Sequence, residues 1–208
     1  MASDKRIVHV IDDDEAARES LSFLLRTAQI DVQAHGSATA FLAALPELRP
    51  SCVITDVRMP GLSGIDLLRR LKELKIHVPV IVITGHGDVP LAVEAMKVGA
   101  ADFLEKPFDD DHLLAAVRTA LDRDAEATRR HAEVAEIHEK LDALSNRERQ
   151  VLEGLVAGNP NKTIAFDLGI SPRTVEIYRA NLMNKMQATT LSELLRMALI
   201  AGVVDGGD

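Results

Sequence analysis

The sequence predicts an α/β fold with a doubly wound, five-stranded parallel sheet, followed by an all-α part. Short apolar runs alternate with segments of helical spacing up to about residue 124. Four of these runs end in polar residues. In a parallel sheet the carboxyl ends of the strands lie along one edge, and ligand sites are found at that edge. Beyond residue 143 the apolar pattern has the helical period throughout. A length of 208 residues accommodates the two parts as separate domains.

Ten elements are predicted in the first part. Strands are expected at residues 6–11, 31–35, 52–55, 80–83 and 102–105, and helices at 15–29, 37–45, 63–74, 89–98 and from about 109. Ser37 is a good N-cap residue, and Gly99 suits the left-handed position that ends a helix. Pro50 and Pro79 each precede a strand. Five strand–helix units therefore give a parallel sheet with helices on both faces.

A long helix is predicted to link the two parts. The stretch from Leu113 to Leu144 contains neither glycine nor proline, and its Ala, Glu and Arg content differs from that of a flexible tether. Alanines stand where a firm apolar seam would need leucines, so we expect this linker to be largely exposed. A coiled coil is the alternative. The predicted boundaries are residues 1–124 for the first domain, 125–142 for the linker and 143–208 for the second domain.

The second domain is predicted to contain four helices. They begin near residue 146 and end near 158, and then span 161–168, 174–186 and 191–200. The segment Gly169-Ile170-Ser171-Pro172 makes a tight turn between the second and third helices. Two helices joined by a turn that contains glycine are typical of helix-turn-helix DNA-binding domains.

Composition restricts the function classes. Hydrophobic residues make up 47% of the chain, which is ordinary for a folded protein. The single cysteine, Cys52, lies in a strand-like run and is expected to be a buried, inert thiol. No apolar stretch approaches the roughly 20 residues of a membrane span, so we expect a cytoplasmic protein with no membrane partner. The net charge is −8 and neither domain is basic overall, so we expect a monomer to hold DNA weakly.

Polar residues gather at the predicted carboxyl edge of the sheet. Asp12 and Asp13 follow the first strand, Asp56 the third, Thr84 the fourth and Lys106 the fifth. Crowded carboxylates repel one another, and a hard cation with oxygen ligands relieves the repulsion. Mg²⁺ suits such a site because it takes few protein carboxylates and binds readily to phosphate. The sequence therefore predicts a place for Mg²⁺ and a phosphoryl group.

Four motifs in the first domain resemble the receiver domain of bacterial two-component response regulators. They are Val10-Ile11-Asp12-Asp13-Asp14, Asp56-Val57-Arg58-Met59-Pro60-Gly61, Thr84-Gly85 and Glu105-Lys106-Pro107. The resemblance covers residues 5 to about 124. It implies a flavodoxin-like sheet with strand order 2-1-3-4-5 and a cis peptide between Lys106 and Pro107.

The same resemblance implies a role for each residue at the edge. Asp56 would be the phosphoacceptor and, with Asp13, a direct ligand of Mg²⁺. Asp12 would bind the metal through water, and Arg58 through its backbone carbonyl. The remaining implied roles are phosphoryl contact for Lys106, switching for Thr84 and Phe103, tuning of phosphoryl loss for Arg58 and His86, and dimerisation for Val93, Met96 and Lys97.

Two further segments resemble the LuxR-type output domain. They are residues 144–152 and 158–176, and with the receiver they make the chain similar to the NarL/FixJ family of transcription regulators. The resemblance implies a cognate sensor histidine kinase, promoter DNA and RNA polymerase as partners, and a homodimer when phosphorylated. It also implies activation of nitrogen-fixation genes, release of the output domain by phosphorylation, and no enzyme activity beyond self-phosphorylation and slow self-dephosphorylation.

The helix at 174–186 is predicted to read DNA. Its positions 175, 178, 182 and 186 should pack inward, which leaves Glu176, Ile177 and Ala180 on the outer face for base contacts. Candidate phosphate contacts are Lys162, Thr163, Arg173, Thr174, Arg179 and Lys185. Within residues 159–186 only four basic side chains oppose two acidic ones, so dimerisation would be needed to raise DNA affinity.

Two alternatives belong to other classes. The Asp12-Asp13-Asp14 run contains an Asp-x-Asp spacing that resembles haloacid-dehalogenase phosphatases, in which the first aspartate is phosphorylated. The chain lacks the residues that follow this pair in those enzymes, and their cap domain. In the second alternative, the receiver is kept and the C-terminal helices are an interaction module that does not bind DNA.

Overall fold

A five-stranded parallel sheet with helices on both faces forms the first of two units. The computed structural model describes residues 6–85 and 89–203, and the chain divides into Met1–Ala127 and Thr128–Asp208. The strands are β1 (Ile7–Ile11), β2 (Asp31–His35), β3 (Pro50–Asp56), β4 (Val80–Thr84) and β5 (Asp102–Glu105). Their order is β2-β1-β3-β4-β5, all parallel, which confirms the predicted fold class. The predicted residue His86 lies outside the described residues.

The helices of this unit begin at the side-chain caps that their sequences provide. They are α1 (Glu15–Thr27), α2 (Ala38–Ala44), α3 (Gly64–Glu73), α4 (Val89–Val98) and α5 (Asp110–Asp142). Asp14, Ser37 and Ser63 cap the first three of them by accepting backbone N–H bonds. Pro50 is the first residue of β3, a position that needs no ladder donor, so this strand starts earlier than predicted.

Alternation along the strands divides the apolar core between the two faces of the sheet. Val8 and Val10 of β1 face α1 and the start of α5, whereas Ile11 faces α2, α3 and α4. The first face packs against Leu21, Leu25, Leu113 and Val117, and the second against Phe41, Leu67, Leu71 and Ala95. Both cores are aliphatic, with Phe41 as a fully buried aromatic.

Gly64 allows α3 to begin directly against the end of β3. A Cβ atom at this position would overlap the backbone carbonyl oxygen of Asp56. Ser63 caps the helix by accepting the N–H of Asp66 at 3.1 Å, and the Gly64 N–H bonds Val57 O at 3.1 Å. The backbone that follows Asp56 is therefore held closely by the first turn of α3.

The helix α5 covers the predicted linker without a break. Residues 125–133 are exposed, as the sequence predicted, but Ile137 and Leu141 are buried in the core of the second unit. Val134, Ile137 and Leu141 recur at three- and four-residue steps, and this short apolar stripe was missed. The last turns of α5 therefore belong to the packing of the second unit.

The second unit is all-helical. After the end of α5 it contains α6 (Asn146–Val156), α7 (Asn161–Leu168), α8 (Pro172–Met186) and α9 (Leu191–Ile200). Gly169 ends α7 in the left-handed conformation with φ of 65°, and Ser171 caps α8. Pro172 is the first residue of α8 and not part of the turn, because a proline ring fits the first turn of a helix.

Among the residues that the structure describes, no helix is long and apolar enough to cross a lipid bilayer.

Candidate functional site

Lys106 joins two of the predicted carboxylates at the carboxyl edge of the sheet. Its Nζ atom donates to Asp12 Oδ2 at 2.9 Å and to Asp56 Oδ1 at 3.1 Å. The Asp12 and Asp56 side chains are only 4% and 11% exposed. Burial lowers the pKa of Lys106, but the hydrogen bonds to Asp12 and Asp56 outweigh it, so the pKa is raised. The ammonium therefore stays charged beside both carboxylates.

Backbone donors fix the remaining carboxylate oxygens. Asp12 Oδ1 accepts the Asp14 N–H at 2.9 Å, and Asp56 Oδ2 accepts the Arg58 N–H at 2.6 Å. Arg18 of α1, which the sequence analysis missed, donates from Nη1 to the Asp12 backbone carbonyl at 2.7 Å. No motif marks this arginine, because its contact depends on how α1 packs beside β1. The orientation of both carboxylates is thus set before any ligand binds.

The donor set at this edge fits a hard divalent cation in its chemistry. Asp12, Asp13, Asp56 and the Arg58 carbonyl offer oxygen atoms alone, as Mg²⁺ requires. Asp13 is exposed and lines the same surface groove as Arg58 and Met59. Among the described residues, however, no three acidic, histidine or cysteine side chains are close enough together to hold a metal. Asp12 and Asp56 instead share Lys106, so the predicted ligand roles stay predictions.

The two predicted switch residues lie on neighbouring strands. Thr84, at the end of β4, is 1% exposed, and its backbone carbonyl accepts the Lys106 N–H at 2.7 Å. Phe103 of β5 is partly buried against the core on the α4 side of the sheet. The Lys106–Pro107 peptide is cis, as the resemblance to receiver domains implied. Thr84 is therefore tied through the backbone to the residue that contacts Asp56.

The predicted dimer residues share one exposed patch of α4. Val93 and Met96 are 46% and 50% exposed, and with Ala92 and Lys97 they line a shallow surface depression. Ala95 on the opposite side of the helix is completely buried. This patch of α4 is therefore an uncovered apolar surface with a lysine at its edge.

The helix α8 divides its residues as the spacing predicted. Val175, Leu182 and Met186 are completely buried, and Tyr178 is partly buried against the same core. The outer face carries Arg173, Glu176, Ile177 and Ala180, and α7 exposes Lys162 and Thr163. Thr174 is half-buried, and its hydroxyl is 2.8 Å from that of Ser171.

Two of the basic residues predicted to contact phosphates already have partners within the protein. Arg179 donates from Nη1 to Asn161 Oδ1 of α7 at 2.9 Å. Lys185 donates from Nζ to Glu148 Oε2 of α6 at 2.7 Å and to the Ala143 carbonyl at 3.1 Å. Asn161 and Glu148 were missed as partners. The Ser-x-x-Glu spacing of Ser145 and Glu148, typical of a capping box, was the available signal for Glu148.

These features define a class of protein before any comparison is made. A partly buried lysine between two strand-end aspartates, in a doubly wound sheet, suits phosphoryl chemistry at an aspartate. The second unit presents a helix-turn-helix with an exposed outer face. The class is that of a switch domain joined to a DNA-binding domain.

Comparison with known proteins gives the family. Residues 8–118 match the response regulator receiver domain, and residues 142–198 match the bacterial regulatory proteins of the luxR family. The chain belongs to the NarL/FixJ family of two-component response regulators.

Three individual proteins show how close the similarity is. The chain is 61% identical to the transcriptional regulatory protein FixJ of Azorhizobium caulinodans over 201 residues, covering 97% of this chain and 95% of that protein. Full-length FixJ from B. japonicum is 54% identical, with a TM-score of 0.60 and coverage of 97% and 99%. The response regulator StyR is 38% identical, with a TM-score of 0.82 and coverage of 94% and 98%.

Family membership settles the broad function. The protein is a two-component transcriptional regulator with a receiver domain and a LuxR-type DNA-binding domain. This assignment replaces the phosphatase alternative, and it makes the C-terminal helices a DNA-binding domain rather than an interaction module.

Proposed function

We propose that a sensor histidine kinase phosphorylates Asp56 with the help of Mg²⁺, and that this controls binding of the protein to promoter DNA. The observation that carries the proposal is the position of Lys106, whose ammonium lies within 3.1 Å of Asp56 Oδ1 and 2.9 Å of Asp12 Oδ2. A fixed cation beside the reacting carboxylate neutralises charge that spreads over the phosphoryl oxygens during transfer.

The transfer is a simple exchange of bonds. An Asp56 carboxylate oxygen attacks phosphorus, the bond from phosphorus to the kinase histidine breaks, and the imidazole leaves with the electron pair and takes up a proton. Asp13, Asp56 and the Arg58 carbonyl would hold Mg²⁺, with Asp12 acting through water. When bound, the metal would neutralise phosphoryl oxygens. The protein modifies its own side chain and loses the group slowly, so it is not a classical enzyme.

The test uses two aspartates that differ in their place in the structure. Asp56→Asn should abolish Mg²⁺-dependent labelling by acetyl phosphate or by a cognate kinase. Asp14→Asn is the matched control, because it removes the same charge while asparagine still caps α1. Full labelling of Asp56→Asn, or loss of labelling in Asp14→Asn alone, would contradict the assignment.

The kinase has a candidate docking place beside the reacting group. Phe23 of α1 is 72% exposed and lines an apolar groove that also contains Leu24, Phe108 and Lys106. A partner seated in this groove would bring its phosphohistidine towards Lys106. Phe23→Ala should therefore slow labelling by the kinase and leave labelling by acetyl phosphate unchanged. Phe166→Ala, which replaces a still more exposed phenylalanine in the second unit, should change neither.

We assign the dimer of the phosphorylated protein to the α4 patch of Val93, Met96 and Lys97. A phosphoryl group on Asp56 offers acceptor oxygens to Thr84, and movement of Thr84 displaces the start of α4. Sedimentation should detect a dimer after phosphorylation, and Lys97→Glu should weaken it. An unchanged mass after phosphorylation would contradict this part of the proposal without affecting the assignment of Asp56.

The outer face of α8 is the proposed base-reading surface. Glu176, Ile177 and Ala180 lie in its first turns, where recognition helices enter the major groove. A dimer doubles the phosphate contacts, which a domain with few basic residues needs. We further propose that the bound protein activates transcription by RNA polymerase, since its FixJ relatives are named transcriptional regulatory proteins. From the resemblance to FixJ we also propose that its targets are nitrogen-fixation genes. Selection of bound DNA from genomic fragments by the phosphorylated protein tests this.

A further inference from the structure

Lys185 occupies a position on α8 that the charge pattern alone assigns to DNA. It is a basic residue near the end of the proposed recognition helix, and its side chain is 41% exposed. Its ammonium nevertheless donates to Glu148 Oε2 at 2.7 Å and to the Ala143 carbonyl at 3.1 Å. Two of its three N–H bonds are thus directed towards the first turn of α6 and the segment that precedes it.

Glu148 is the centre of this contact. Its side chain is 5% exposed, and its Oε2 atom accepts the N–H and the hydroxyl of Ser145, both at 2.8 Å. The Lys185 hydrogen bond, followed by the Ser145 N–H bond, lowers the pKa of Glu148. A buried carboxylate is stable only when it is paired and hydrogen-bonded. Within the described residues, Lys185 is the one basic side chain that forms an ion pair with Glu148.

These hydrogen bonds connect three parts of the second unit, which are the segment before α6, the first turn of α6 and the last turn of α8. One carboxylate oxygen ties the N-terminus of α6 to the last full turn of α8. The middle of α8 is tied to α7 by the Arg179 bond to Asn161, about two turns after the Ser171 cap. The angle of α8 on its supporting helices is therefore fixed by polar contacts at its middle and near its C-terminal end, as well as by the apolar core.

We propose that Lys185 is a positioning residue for the recognition helix, acting through Glu148, and not a phosphate contact. This inference rests on the proposed reading of DNA by α8. If the pair breaks, a buried charge at Glu148 is left without its partner, and the C-terminal half of α8 loses its anchor to α6. The exposed side chains of the outer face are then presented to DNA at a less defined angle.

Salt dependence separates positioning from phosphate contact. The phosphorylated full-length protein is titrated with a selected DNA site at several salt concentrations. Lys185→Met and Glu148→Gln should each weaken binding by about tenfold. The salt slope should stay unchanged, because neither variant removes a phosphate contact and the number of counterions released from DNA is therefore the same. The double variant should bind no more weakly than either single variant, since both remove the same interaction. Lys185→Arg, which keeps the charge, should retain most of the affinity.

Arg173→Ala is the matched control, because Arg173 lies on the exposed start of α8. It should lower the salt slope by about one unit per subunit. A similar fall in slope for Lys185→Met, additive losses in the double variant, or unchanged affinity would each overturn the positioning role. If Lys185→Met does not fold, the affinity and salt slope of Glu148→Gln and Lys185→Arg are compared with those of the original protein instead. An unchanged slope for Arg173→Ala would instead count against DNA reading by α8 itself.

Discussion

The buried pair of His9 and His35 makes the stability of the receiver sensitive to acid. His9 on β1 is completely buried, and its Nδ1 atom is 2.9 Å from His35 Nε2 of β2, so one nitrogen donates and the other accepts. Phe41 packs against both rings. The His9 Nε2 atom is buried without a hydrogen-bond partner in the described structure. Burial and the neighbouring His35 lower the pKa of His9 from 6.5 to about 4.

The sign of the effect follows from where the proton binds. Below pH 6.5 His9 is protonated in the unfolded chain, whereas in the folded chain it stays neutral until about pH 4. Unfolding therefore becomes easier as the pH falls through this window. With about 1.4 kcal/mol for each pKa unit, the receiver should lose about 1 kcal/mol by pH 5.5 and about 3 kcal/mol near pH 4. Burial also lowers the pKa of His35, which acts in the same direction.

The assay compares urea unfolding at pH 7.5 and pH 5.5. Hydrogen exchange in peptides from β1 and β2 reports the unit that contains the pair. His9→Leu removes the titrating group, so the difference between the two pH values should shrink by about 1 kcal/mol whatever its effect at pH 7.5. His77→Gln replaces an exposed histidine and should leave the difference unchanged. The same pH dependence in His9→Leu as in the original protein would refute the reasoning.

Three further predictions concern the site and the DNA-binding face. Asp13→Ala should weaken Mg²⁺ binding and phosphorylation, measured by titration and labelling, while the fold is kept or made more stable because a like charge is removed. Gly64→Ala should destabilise the receiver by about 1–3 kcal/mol in urea unfolding, since its Cβ overlaps the Asp56 carbonyl. Gly36→Ala, whose Cβ meets nothing closer than 3.8 Å, should cost far less. Glu176→Ala should change the selected DNA motif at about 1–3 kcal/mol per lost base contact, and an identical motif would place Glu176 outside base reading.

The edge of the sheet could be predicted because its geometry is dictated by topology. Parallel strands place their carboxyl ends together, so Asp12, Asp56 and Lys106 had to meet once five strands were recognised. Helix starts were predictable for a similar reason, because Ser37 and Ser63 satisfy backbone N–H groups only a few residues away. Local chemistry and strand order together were sufficient for these features.

Contacts between distant segments were not accessible in this way. Lys185 and Glu148 are 37 residues apart, and His9 and His35 are 26 apart. An exposed lysine on a helix and one that reaches an adjacent helix have the same sequence pattern, since the difference lies in how the helices pack. The apolar stripe at the end of α5 was visible in principle, but alanines in the preceding turns obscured it.

The close approach of Gly64 to Asp56 restricts the main chain of the proposed phosphoacceptor on one side. The first turn of α3 stands against the Asp56 carbonyl, where even a methyl group would not fit. The main chain of Asp56 therefore has no room to retreat towards α3 when its side chain gains bulk and charge. Displacement is left to other directions, among them the side of the neighbouring strands β4 and β5, where Thr84 and Lys106 lie. A glycine that touches no ligand thus removes one of the directions in which a chemical event at one side chain could become movement.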